Sequence, residues 1–193
     1  MLTPALFLAA AMLRPVPEPE PRIVLVPTHN LSGERWADLR RKQSNKIDQY
    51  LVTEFGKRKV EIVPRTEVEE AIKRLEIDFS DEEQLTRATM FRLGRELRAT
   101  YLFLPVILAT EQNFQDRDLY TDREGRTDVK VWFLDVANER PLVSARTFVG
   151  RSGGMRITLK PSDRQIQAAA NAVRDSLAEH WGLFSKRDTS KGR

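Results

Sequence analysis

Leu93-Gly-Arg-Glu-Leu-Arg-Ala-Thr-Tyr-Leu-Phe-Leu104 changes from helical to extended patterning within a dozen residues. Leu93 and Leu97 stand four apart, the spacing of one helix face. From Tyr101 to Leu108 almost every residue is apolar, and the run is too short and too rich in aromatic and β-branched types for a helix. That pattern predicts a strongly apolar strand. A helix that leads straight into such a strand is half of an α/β unit. Pro105 lacks an N–H, so this strand is expected at a sheet edge or with a bulge.

Toward the amino terminus the same grammar repeats. Leu85, Ala88, Thr89, Leu93 and Leu97 share one helix face, and Ser80 with Glu83 has the spacing of a capping box. Thr66 with Glu69 has it again, ahead of Val68, Ala71, Ile72 and Leu75. Val60–Val63 is a short strand before that helix. Trp36, Leu39, Gln43, Ile47, Tyr50, Leu51 and Phe55 mark a longer helix, ended by Gly56. Ile23–Val26 is a β-branched strand closed by Pro27, and Thr28–Gly33 is a loop of turn-formers.

Toward the carboxyl terminus Asp128–Val136 alternates with apolar residues on both sides: Val129, Val131 and Phe133 on one, Trp132, Leu134 and Val136 on the other. This reads as a central strand. Asn138–Pro141 is a turn, and Leu142–Val149 returns as the second arm of an antiparallel hairpin. Gly150–Gly154 reads as a flexible connection. Ser162 with Gln165 caps a long last helix carrying Ile166, Ala170, Val173, Leu177 and Trp181 on its buried face. The order β-α-β-α-α-β-β-β-α predicts an α/β fold: a mixed sheet in a two- or three-layer arrangement, with a long C-terminal helix.

The chain has 193 residues, 40% hydrophobic and 31% charged, which fits one folded domain with tails. Residues 22–184 are expected to form it. Residues 1–21 hold a mostly apolar run, Leu2–Leu13, too short to span a bilayer. With Ala9 and Ala11 as a small-residue pair it reads as a weak export signal, although no Lys or Arg precedes it; a frayed start is the alternative. The alternating prolines of Arg14–Pro21 form an extended spacer. Residues 185–193 read as a basic disordered tail. The absence of cysteine excludes disulfides, thiolate metal sites and a cysteine nucleophile.

No catalytic, cofactor or metal set emerges. His29 and His180 are the only histidines, too few for a zinc site without carboxylates. Ser32 has no nucleophile elbow around it and reads as a residue that satisfies backbone donors at a helix approach. Asp116, Asp118, Asp122 and Glu124 do not match a calcium loop and read as a solvated hairpin tip. Gly150–Gly154 lacks the lysine of a phosphate loop. The one candidate ligand or partner loop is Thr28, His29, Asn30, Ser32 and Gly33, after a strand and before a helix, where α/β folds place ligands.

The net charge of +4 is mild. Arg35, Arg40, Arg41, Lys42 and Lys46, Lys57–Lys59, and Lys186, Arg187, Lys191 and Arg193 are local basic groups. They read as solvated faces that allow peripheral contact with an anionic surface. No helix-turn-helix, RNP or KH signature accompanies them, so nucleic acid is not the expected partner.

Three blocks carry a family resemblance: the strand and Pro-x-x-Asn-x-Ser-Gly turn of Ile23–Gly33, the strand, Pro64-Arg65 and helix of Val60–Leu75, and Leu93–Leu104. The hairpin with Leu134-Asp135-Val136 adds a fourth. Together they resemble the α/β domain shared by the amino-terminal part of TolB and the curli-secretion lipoprotein CsgG, over about Arg22–Trp181. The resemblance implies a non-enzymatic, periplasmic or secreted envelope domain that binds other envelope proteins or self-associates. The chain departs from that pattern in lacking an anchoring cysteine and a following propeller. Gln112–Arg126 is also too charged to cross a bilayer, which favours a soluble adaptor over a pore. Two other classes remain open. One is a cytoplasmic regulatory or nucleic-acid-binding domain, from the basic helix and tail. The other is a hydrolase or ligand-binding protein using the 28–33 loop.

Overall fold

A strand buried on both faces needs apolar side chains above and below its plane, and the Tyr101 segment supplies them. The computed structural model describes residues 20–117, 120–153 and 161–186. In it Leu102, Leu104 and Val106 join the core on one side of the sheet, and Phe103 and Ile107 join the core on the other. The expected signal segment and most of the spacer, the 154–160 connection and residues 187–193 lie outside the described residues.

The elements run β1 (Arg22–Leu25), β2 (His29–Asn30), α1 (Ala37–Gly56), β3 (Glu61–Ile62), α2 (Arg65–Arg74), α3 (Arg87–Glu96), β4 (Tyr101–Arg117), β5 (Tyr120–Asp135), β6 (Arg140–Ser152) and α4 (Pro161–Leu177). Two 3-10 segments, Glu82–Gln84 and Ala178–Leu183, complete them. The sheet order is β3-β1-β4-β5-β6, with β2 pairing on β4. β1 is parallel to both β3 and β4, and β4, β5 and β6 are antiparallel neighbours. Parallel neighbours require crossovers, and the helices provide them.

The two faces are covered by different helices, giving three layers. Val68 and Ala71 of α2 and Met90 and Leu93 of α3 pack with Val24, Leu102, Leu104, Trp132 and Leu134. Ile47, Leu51 and Phe55 of α1 and Ala169, Ala172, Val173 and Leu177 of α4 pack with Ile23, Phe103, Val129, Val131 and Phe133. The alternation read along β5 is the alternation observed. Each fully buried Leu, Ile or Phe here contributes on the order of 1.5–3 kcal/mol.

Pro105 does not mark an edge. β4 lies between β1 and β5, and its bulge falls between Ile107 and Ala109. Val26 N donates to Phe103 O and Leu31 N to Ile107 O, so the odd residues of β4 turn their backbone groups toward β1 and β2. The N–H that Pro105 lacks would point into the gap where Val26-Pro27 leaves one strand and before the other begins. A central strand tolerates proline there because no acceptor is left waiting.

Neither expected capping box forms. α2 starts at Arg65 behind Pro64, without a side-chain cap bond. Ser80 does not open a helix: its N and Oγ donate to Asp78 Oδ1 at 2.8 and 2.6 Å. Asp81 caps the 3-10 segment by accepting from Glu83 N. Thr86 caps α3 by accepting from Thr89 N at 3.2 Å. The carboxylate of Asp78, two residues away, captures Ser80 first, the usual competition between local turns and helix caps. Trp36 precedes α1 and is exposed rather than part of its buried stripe.

Gly150 lies in β6 rather than in a flexible connection, and Gly125 lies in β5. They let α4 approach the sheet. A Cβ on Gly150 would lie 1.9 Å from Ala168 O, and one on Gly125 2.5 Å from the Arg164 carbonyl carbon. The contact face of α4 is therefore built on small residues, Ala168, Ala169 and Ala172, while Ile166 is only half-buried. Trp181 falls beyond α4 in a 3-10 segment and packs on Phe55 at 5.2 Å. The chain stays paired after Phe184: Lys59 N donates to Ser185 O at 2.8 Å and Lys186 bridges Arg58.

Candidate functional site

α1 leaves β1 on one face of the sheet and α2 and α3 return on the other, so the carboxyl ends of β1 and β4 form the switch point at which open α/β sheets bind ligands. The 28–33 loop lies there, as the sequence places it. The chain closes the crevice itself. His29 and Asn30 are a short strand, paired with Val106 and Ile107, rather than a free loop.

Thr28, His29, Asn30 and Ser32 each have an internal partner. Thr28 is buried, and its N and Oγ1 donate to Asp48 Oδ1 at 3.0 and 2.6 Å. The other oxygen of Asp48 meets Arg65 at 3.2 Å. Asn30 Oδ1 accepts from Ser32 N and Ser32 Oγ at 3.2 and 2.6 Å. Ser32 Oγ in turn accepts from Glu34 N at 3.3 Å, the helix-approach role expected of it. The proton a nucleophilic serine would surrender to a base is thus directed at an amide oxygen, which is no base. Gly33 turns the chain at φ +67°, a conformation that favours glycine.

His29 is half-buried rather than an ordinary surface residue, its ring centroid 5.0 Å from that of Phe79. Burial lowers its pKa, against the opposing pull of Asp48 and Asp78. His180 packs on Phe133 at 5.5 Å. Phe79 and Phe133 belong to the cores on opposite faces of the sheet, so the two histidines do not meet. Among the described residues no group of three or more His, Cys, Asp or Glu gathers to hold a metal ion. Likewise, no described helix is long and apolar enough to cross a membrane.

The loop also anchors a buried polar chain that the sequence reading missed. Asn30 Nδ2 donates to Gln43 Oε1 at 3.1 Å, and Gln43 Nε2 to Thr110 Oγ1 at 2.9 Å. Gln165 Nε2 reaches the same hydroxyl at 3.3 Å, and Thr127 Oγ1 donates to Gln165 O at 3.1 Å. The chain joins β2, α1, β4, β5 and α4. One signal was present: a glutamine inside an otherwise apolar stripe, where a buried amide must find partners.

Beside this loop, at the ends of β1 and β3, a cavity of about 250 Å³ is lined by Leu25, Pro27, Leu51, Val52 and Ile62, with the Asp48–Arg65 pair at its polar side. On α1, Arg41 and Lys42 both pair with Asp38. Lys42 first and Arg41 second hold that carboxyl below the usual range.

No protein-family model matches the chain. No curated protein matches it either. Solved structures do. Lipoprotein GNA1162 from Neisseria meningitidis is 17% identical over 82% of this chain and 99% of its own, with a TM-score of 0.47. The LpoB C-terminal domain from Salmonella enterica is 11% identical over 71% of this chain and 84% of its own, TM-score 0.43. A neuraminyllactose-binding hemagglutinin homolog from Helicobacter pylori is 12% identical over 86% and 85%, TM-score 0.47. None of these three is TolB or CsgG.

Proposed function

We propose that this chain is a non-enzymatic, envelope-associated module that binds other proteins, of the TolB and CsgG kind. One observation carries the binding role. β4 and β5 pair from Tyr101↔Asp135 out to Arg117↔Tyr120. Among the described residues, β2 reaches only Ile107 on one side and β6 only Gly125 on the other. The pairs from Asn113↔Glu124 outward therefore form a two-stranded arm roughly 17 Å long beyond the sheet. An isolated two-stranded ribbon is marginal by itself, so an arm of this kind is suited to completion by a partner.

Its sequence carries Asp116, Arg117, Asp118, Asp122, Arg123 and Glu124 beside Phe114, Leu119 and Tyr120, a charged composition that suits a polar protein surface better than a lipid one. The inward-turned polar groups of the 28–33 loop support the non-enzymatic half of the reading. The four sequence blocks that resemble TolB and CsgG support the envelope half.

The test replaces 113–124 with an Asn-Gly turn and compares cross-linked partners in fractionated cells. The shortened protein should keep its circular dichroism and lose its cross-links. Unchanged cross-links would overturn the role of the arm. Intact mass tests the compartment. A protein lacking about eleven N-terminal residues, from an extracytoplasmic fraction, supports it. A full-length mass from cytosol overturns it.

A further inference from the structure

β6 ends the sheet, and no described strand pairs with its outer side. The hydrogen-bond directions already given fix what it presents there. Odd residues of β4 face β1, so even ones face β5, through pairs such as Leu104↔Trp132. The odd residues of β5 then face β6, through Val129↔Phe148 and Thr127↔Gly150. Arg146, Phe148 and Gly150 therefore turn their backbone groups inward, and Thr147, Val149 and Arg151 turn theirs outward. Asn171 Nδ2 donates to Arg151 O at 2.8 Å, as an outward carbonyl allows.

Most of this edge is guarded in the ways that prevent strand addition. Pro141 and a bulge with Ala145 at φ +51° interrupt one end, and Asn171 occupies the other. Between the guards, Thr147 and Val149 stay exposed, both β-branched. Alongside, on the α4 side, runs a groove of about 410 Å³ lined by Leu142, Phe148, Asp175, Ser176, Glu179 and His180.

We infer that a second copy of this chain pairs here, β6 against β6, antiparallel about a two-fold axis through Phe148. In that register Thr147 faces Val149 of the second copy, and Val149 faces its Thr147. All the free N–H and C=O groups of the window then pair, four hydrogen bonds across the axis. Arg146 falls opposite Gly150 of the second copy, so like charges never face each other. The two Phe148 rings meet on the groove side, where the groove has room for the incoming one. An isologous contact must be self-complementary, and this window is.

The inference rests on the interaction-module reading and narrows it to one partner. It fails separately, because shortening the arm leaves this edge intact and changing the edge leaves the arm in place.

Sedimentation of the full chain tests it. The wild type should sediment as a dimer. Two double variants, Thr147→Lys with Val149→Lys and Thr147→Glu with Val149→Glu, change only exposed side chains. Each alone sets like charges opposite and should be monomeric with unchanged circular dichroism. Mixed in equal amounts they should form a heterodimer. A wild type that stays monomeric up to its solubility limit would overturn the pairing. So would double variants that dimerise alone as well as the wild type does, or that fail to combine when mixed.

Discussion

Gly150 carries a hydrogen where a methyl group would sit 1.9 Å from Ala168 O and 2.7 Å from Ala172 N. Both neighbours are backbone and cannot swing aside, so Gly150→Ala should cost about 3 kcal/mol or push α4 off the sheet. Gly56 is the control. It closes α1, and nothing lies within 4 Å of the place a methyl group would take there. Gly56→Ala should gain about 0.5–1 kcal/mol through reduced freedom of the unfolded chain. Urea midpoints of the two variants should move in opposite directions; a common direction would refute the close-approach account. His29 offers a pH test. Burial lowers its pKa in the fold, so the folded state resists a proton that the unfolded state accepts near about pH 6.5. Its contribution to stability is full above that value and declines as pH falls below it, partly offset by Asp48 and Asp78. His29→Phe should flatten this limb of the stability profile between about pH 7.5 and 5.5. An unaltered slope would mean that other groups set it.

The elements were legible wherever burial imposes a period. β4 and β5 place apolar residues on alternate faces, and α1 repeats Leu39, Gln43, Ile47, Leu51 and Phe55 every fourth residue, so pattern alone located them. Caps were less legible because Asp78, Ser80, Asp81 and Thr86 are all cap-forming types within one short stretch, and only the final geometry assigns Ser80 to Asp78, Glu83 N to Asp81 and Thr89 N to Thr86. Gly150 read as loop because glycine's use for close helix approach depends on an α4 that arrives later in the chain. The 28–33 loop was found, yet what binds it was not: Asp48 and Gln43 reach it from α1, a contact that spacing along the chain cannot reveal. Gln43 is fully buried with both amide ends bonded. Gln43→Met should leave Asn30 Nδ2 and Thr110 Oγ1 short of partners and cost about 1–3 kcal/mol. Since both mutations remove one shared bond, Gln43→Met combined with Thr110→Ala should cost less than the two alone would add to. Strict additivity in denaturant melts would show that the amide chain is not coupled.

At the scale of the molecule, the central question is whether the three layers unfold together. β4 answers through its alternation. Leu102, Leu104 and Val106 complete the core under α2 and α3, while Phe103 and Ile107 complete the core under α1 and α4. Stripping either helical layer would expose one side of a strand whose other side is still packed, and the remaining half-core would be too small to hold it. Two tryptophans report on the two sides. Trp132 is 2% exposed among the α2 and α3 core, and Trp181 packs on Phe55 and Phe184 with Arg58 over its ring at 4.6 Å. Trp36, exposed ahead of α1, adds only background. A Trp36→Phe, Trp181→Phe variant isolates the first reporter, and a Trp36→Phe, Trp132→Phe variant the second. In each, the fluorescence transition in urea should coincide with that variant's own far-ultraviolet circular dichroism, the mark of a single cooperative step. A Trp181 transition that runs ahead of the dichroism would mean that α1 and α4 detach as a separate unit. The alternation of β4 would then not couple the two cores.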